Sequence, residues 1–251
     1  MKNKILLKTL TVAMTAVCLA SCTQTPATEA VTETETEVET TTITTEDSVD
    51  ETESSTTESE EVKNEVIFSS EMVVNSANKY GMTETENYSE WVQMITGDDA
   101  TYHSVYYVMD DPEEANKWYY ASYLVAENSN FPDIQVNECI LGFEKISEGA
   151  DGRNAFTEIY MFTAADDQSA LDLYNALCIA SSDFEVVSGE KDGYTYSVRY
   201  MGNGKRQMTA GVYLQNNTVI FINNSGEVEE DGGCIGFFCN ELGLESPLTL
   251  K

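Results

Sequence analysis

The stretch FEVVSGEKDGYTYSVRYMGNGKRQMTAGVYLQNNTVIFIN, residues 184 to 223, decides the fold. Asp192-Gly193, Asn203-Gly204 and Asn216-Asn217 interrupt it, and these residues tolerate the positive φ that tight hairpin turns require. Between them lie extended runs at 184–190, 194–200, 207–214 and 218–223, which predict an antiparallel meander. In the second run Tyr194, Tyr196, Val198 and Tyr200 alternate with Thr195, Ser197 and Arg199. That alternation predicts a strand with one buried face and one wet face.

Outward from this core the pattern turns mixed. Tyr102 to Met109 and Phe156 to Thr163 read as strands, and a helical pattern follows each. The first of these helices starts at Asp111-Pro112-Glu113-Glu114, with Asp111 as cap, Pro112 at the first helical position and Glu114 closing a capping box. Its predicted core face holds Ala115, Trp118, Tyr119, Ser122 and Ala126. The second runs from Asp166 to Ala180 with Ala170, Leu171, Tyr174, Leu177 and Cys178 facing inward. Further helices are expected over Ser70 to Tyr80, stopping at Gly81, and over Glu229 to Leu242, stopping at Gly243. These elements predict an α+β fold of two layers, a largely antiparallel sheet with helices packed on one face. A shift of 54 or 55 residues aligns Tyr106 with Tyr160, Ala115 with Ala170 and Tyr119 with Tyr174. It suggests a weakly duplicated strand-helix-strand-strand unit.

The start of the chain reads as an address. Lys2, Lys4 and Lys8 precede an apolar run from Leu10 to Ala20, too short to stay in a bilayer as a spanning helix. Leu19-Ala20-Ser21-Cys22 then resembles the lipobox of bacterial lipoproteins. The resemblance implies cleavage between Ser21 and Cys22 and a diacylglycerol on the Cys22 sulfur. Residues 23 to 65 carry fourteen Thr and fourteen acids against one basic residue, Lys63, and predict a disordered linker. The expected organisation is therefore a signal peptide at 1–21, a lipidated N-terminus and linker at 22–65, and one globular domain at 66–251. The expected location is the outer face of the cell membrane, held there by the lipid, which is the only prosthetic group expected.

Charge sets limits on partners. The chain has 44 acidic and 13 basic residues in 251, a formal net charge of -31. Residues 66–251 alone hold 30 acids and 9 bases. Such a surface repels phosphate backbones and argues against nucleic acid as a partner.

Few residues suggest chemistry. Among the cysteines that would remain after processing, Cys178 and Cys239 both fall on predicted core faces. They could form a disulfide or pack as buried thiols, and the spacing leaves both open. His103 is the only histidine, so a zinc site is not expected. Ser76-Ala77-Asn78-Lys79 matches the Ser-x-x-Lys motif but has no Lys-Thr-Gly partner. Asp151-Gly152 and the acids Glu227, Glu229 and Asp231 both fail the calcium-loop pattern. A non-catalytic binding or accessory module follows, its partner a protein, a wall component or a small ligand. The predicted open sheet face with Thr195, Ser197, Arg199 and Tyr213 is the surface that would serve. Two alternatives stay open: a solute-binding lipoprotein of a transporter, and an extracellular hydrolase built on two carboxylates.

The hairpin Asn217-Thr218-Val219-Ile220-Phe221, followed by a helix that closes at Leu242-Gly243-Leu244, adds a resemblance. Together with the lipobox and the acidic linker, it is similar to uncharacterised exported lipoproteins of Gram-positive bacteria. The resemblance implies an α+β domain at the cell surface and no activity.

Overall fold

The computed structural model of the chain describes residues 67–96, 103–124, 130–148, 154–180, 183–202, 206–227 and 233–250. Cys22, the predicted linker, Ala126 and the Asn203-Gly204 turn lie outside them. Helix α1 (Ser70–Tyr80) opens where the Ser69 hydroxyl accepts the Met72 amide at 3.3 Å, and closes at Gly81 with φ 95°. Strand β1 (Thr83–Glu84), helix α2 (Tyr88–Thr96) and strand β2 (His103–Met109) follow. Helix α3 (Pro112–Tyr119) is capped by the Asp111 carboxylate, which accepts the Glu113 amide at 2.8 Å, and it runs on into a π-helical turn, Tyr120–Leu124. Strands β3 (Val136–Glu148) and β4 (Asn154–Ala164) lead to helix α4 (Asp167–Leu177). The meander is β5 (Glu185–Lys191), β6 (Tyr194–Gly202), β7 (Arg206–Gln215) and β8 (Thr218–Glu227), and helix α5 (Gly233–Glu241) comes after it.

One sheet takes all eight strands in the order β1-β2-β3-β4-β8-β7-β6-β5. Every pairing is antiparallel except that of β1 with β2. The predicted meander is therefore correct, and its two described turns contain the expected positive φ: Asp192 and Gly193 take φ 45° and 86°, and Asn216 takes φ 52°. The β4–β8 pair joins the first half of the chain to the second.

The α+β class and the largely antiparallel sheet stand, but the helices cover both faces of that sheet, not one. On one side α2, α3 and α4 pack through Trp91, Trp118, Tyr119 and Leu173 onto Tyr107, Leu141, Tyr160, Phe162, Val212 and Phe221. On the other, α1 and α5 pack through Val73, Ala77, Ile235 and Phe238 onto Tyr106, Ile140, Met161, Tyr213 and Ile220. The architecture has three layers. The reason is visible in the central strands, where Ile159 to Phe162 and Val219 to Ile222 are apolar without a break and all buried. Alternation appears only where a strand has a wet face; a run without it belongs to a strand buried on both.

Two smaller expectations change as well. Leu171 is 39% exposed, and Leu173 fills the core position on α4 instead. The strand-helix-strand-strand order recurs along the chain, but the sheet does not repeat it. β2 lies beside β3, whereas α4 carries the chain from central β4 to β5 at the far edge.

Packing on the α1/α5 side is tight enough to require a glycine. A Cβ at Gly211 would meet the Tyr213 hydroxyl at 2.1 Å and its ring carbons at 2.5 and 2.7 Å. Tyr213 cannot swing aside, because it is fully buried and donates to the Glu245 carbonyl at 2.6 Å. Gly211→Ala should therefore cost about 1–3 kcal/mol of stability in urea unfolding. Adding Tyr213→Phe, which removes the nearest atom, should make the double change less costly than the sum of the two.

Candidate functional site

The residues singled out from sequence do not form one surface. Thr195, Ser197 and Arg199 do share a face of β6, on the α2/α3/α4 side. Tyr213 pairs with Tyr196 and lies on the opposite side, fully buried. Arg199 is half-buried and holds a helix end: its Nη1 donates to the carbonyls of Leu177 at 3.0 Å and Ile179 at 2.9 Å. A guanidinium there satisfies carbonyls that the end of α4 leaves open and complements the helix dipole. Phe184 sits 5.7 Å from it, ring to guanidinium. The Arg199 end of the proposed interaction face thus lies against the end of a helix.

The cysteine pair separates in the same way. Cys178 packs with the α2/α3/α4 core and Cys239 with the α1/α5 core, so the sheet lies between them and no bridge can form. Burial pushes the Cys139 and Cys178 thiols up and takes Cys239 to about 11. All three are protonated at neutral pH and are poor nucleophiles. Ser76 and Lys79 diverge, since the Ser76 hydroxyl donates to the Met72 carbonyl at 2.9 Å and Lys79 pairs with Glu241. The side chain of His103 and the loop holding Asp151-Gly152 lie outside the described residues, as do Glu229 and Asp231.

Sequence reading missed what the register builds at one end of the central strands. On the α1/α5 face Ser104, Glu144, Thr157, Asn224, Thr209 and Tyr200 are successive cross-strand partners, one from each of six strands. Strands spaced about 4.8 Å apart make this a row roughly 24 Å long. The adjacent row, two residues along each strand, is apolar or glycine: Tyr106, Gly142, Ile159, Ile222, Gly211 and Val198. Within the polar row the Asn224 Nδ2 donates to the Thr157 hydroxyl at 2.9 Å and to the Phe156 carbonyl at 3.3 Å. The Tyr80 hydroxyl reaches both oxygens of Glu144, at 3.0 and 3.1 Å. The Ser104 and Thr209 hydroxyls, the Asn224 Oδ1 and the Oε1 of nearby Gln207 are buried and find no hydrogen-bond partner among the described residues. A polar sequence signal existed: Asn223-Asn224 follows Val219 to Ile222 inside a strand, where asparagine is disfavoured.

The other face carries a second buried carboxylate. Glu158 accepts from the Asn223 Nδ2 at 3.1 Å and from the Tyr160 hydroxyl at 3.1 Å. Burial raises its pKa even though these two donors pull the other way. Glu144 and Glu158 are the buried carboxylates among the described residues. They point to opposite sides of the sheet and cannot flank one substrate as a hydrolase pair must.

The accessible candidate is the free edge of β5. Val186 is 45% and Val187 42% exposed, and the whole strand is open apart from half-buried Gly189. Its seven pairs with β6 run without a bulge, and it ends the strand order. The tight turn makes Lys191 and Tyr194 a hydrogen-bonded pair, so the amides and carbonyls of Val186, Ser188 and Glu190 point outward. By contrast, the sheet ends on its other side with a strand of two residues.

No known protein family matches the chain, and no curated protein or solved structure matches it either.

Two changes test the interior. A carboxyl whose pKa is higher folded than unfolded binds more protons in the folded state, so stability falls as pH rises from the unfolded carboxyl range, about 4, through the raised value. Glu158→Gln removes that loss, and its stability relative to wild type should climb with pH across this window in urea titrations. Thr209→Val replaces an unpartnered buried hydroxyl by a methyl group. It should raise stability by about 1 kcal/mol, seen as a higher urea midpoint with an unchanged slope.

Proposed function

We propose that the protein is a lipid-anchored module on the outer face of the bacterial cell membrane that works by binding rather than by catalysis. The address rests on Leu19-Ala20-Ser21-Cys22 behind a short apolar run, with an acidic Thr-rich spacer behind it. Two acyl chains on one cysteine hold a protein to a bilayer stably. What supports binding is the contrast between the interior and the edge. Burial keeps the Cys139, Cys178 and Cys239 thiols protonated, and the buried carboxylates are held by Tyr80, Asn223 and Tyr160. The β5 edge, in turn, offers outward backbone donors and acceptors beside two exposed valines, which is the equipment for adding an extended segment of a partner.

In cells, Cys22→Ala should abolish incorporation of labelled palmitate and move the protein from the membrane fraction to the medium. Wild-type protein should be digested by protease added to intact cells. Retention of the wild type inside the cell, shielded from that protease, would refute the address.

A further inference from the structure

Resting on that reading, we infer that the partner at the β5 edge is a second copy of this chain, added antiparallel about a two-fold axis at Ser188. The strand is Glu185-Val186-Val187-Ser188-Gly189-Glu190-Lys191. Turned end for end on Ser188, it places each Glu185 opposite Lys191 of the other copy. Opposite charges face each other at both ends, a favourable cross-strand arrangement.

The same register satisfies the backbone. The outward groups are those of Val186, Ser188 and Glu190, and this alignment sets Ser188 on Ser188 and Val186 on Glu190. Each is then a hydrogen-bonded pair, giving about six new N–H to O=C bonds. The remaining pairs, Glu185 with Lys191 and Val187 with Gly189, are the closer non-bonded kind. At Gly189 the Tyr196 ring lies over the strand, within 2.9–3.2 Å of where a Cβ would stand. An incoming Val187 would find that ring on its own face of the sheet, an apolar surface for an exposed apolar side chain.

Lys191 already contacts the Glu245 carboxylate at 3.1 Å, yet its side chain is 41% exposed, so a second carboxylate has room to approach. The edge has neither a proline nor a bulge to break its pairing. An isologous contact of this kind closes on itself and stops at two copies.

Cross-linking on cells carrying the full chain tests this. Ser188→Cys puts two thiols on the axis with Cα atoms about 5.5 Å apart, within disulfide range. Mild oxidation should give a disulfide dimer well above the level from Leu171→Cys, an exposed control on α4. Adding Glu185→Lys should lower the cross-linked fraction roughly threefold to tenfold by facing Lys with Lys, and adding Lys191→Glu to that should restore it. Cross-linking no better than the control would overturn the inference, as would a dimer indifferent to Glu185→Lys. A photoreactive residue at Val187 separates the two levels of the argument. An adduct with a different protein sinks the second copy while keeping the binding module; no adduct at all counts against both.

Discussion

Everything else in this structure hangs on the pairing of β4 with β8. Eight registered pairs, from Phe156 with Ser225 to Thr163 with Thr218, join two sheets' worth of strands that the chain builds separately. Because helices cover both faces there, each residue of the pair must suit a core on its own side. Ile159, Met161, Ile220 and Ile222 serve one core, and Tyr160, Phe162, Val219 and Phe221 serve the other. Burying a large apolar side chain contributes about 1.5–3 kcal/mol, so this seam is where the fold gains most from each residue. It also explains why α4 must travel far. With β4 fixed at the centre, the next strand is placed at the opposite edge, and the helix crosses the faces of β8 and β7 to reach it.

The seam changes character at one end, and that is where the polar chemistry of the interior gathers. Thr157 and Glu158 face Asn224 and Asn223 across it, one pair on each side of the sheet. Buried polar groups that are bonded to one another cost little, whereas those without partners cost about 1–3 kcal/mol each. Glu158 belongs to the first kind. The row continuing through Thr209 and Ser104 contains both kinds. The same burial holds the Cys139, Cys178 and Cys239 thiols protonated, while strand alternation turns Glu144 and Glu158 to opposite faces. Among the described residues, the longer open row of strand hydrogen-bonding groups lies at the β5 edge.

Local signals in the sequence carried the local structure. Asp192-Gly193 and Asn216-Asn217 announced their hairpins because turn chemistry depends on the turn residues alone. Asp111-Pro112 and Gly81 marked helix ends for the same reason. Helix α2 was legible too, though easily passed over: the Asn87 side chain accepts the Glu90 amide at 3.0 Å while the Glu90 carboxylate accepts the Glu86 amide at 2.8 Å. The layer count and the polar row were not legible, because both arise from which strands become neighbours. The wet alternation of β6 describes a strand near the edge, and extending it to the centre gave one covered face instead of two. Nothing local reveals that α4 ends against Arg199. The register of β6 on β7, which local sequence does not fix, places Tyr213 on the opposite face from Thr195, Ser197 and Arg199.

The paired asparagines have a consequence for how the molecule folds. Asn223 meets Glu158 from 65 residues away, and Asn224 meets Thr157 from 67. The hairpins on either side need only short loops, whereas this seam must bring together strands far apart in the chain, at a larger cost in loop-closure entropy. A seam made only of aliphatic side chains could pair one residue out of step with little to oppose it. Here a single-residue offset would turn each asparagine toward the wrong core and leave a carboxylate buried among carbon atoms. The polar end of β8 thereby acts as a register mark on a seam whose two strands lie far apart in the chain.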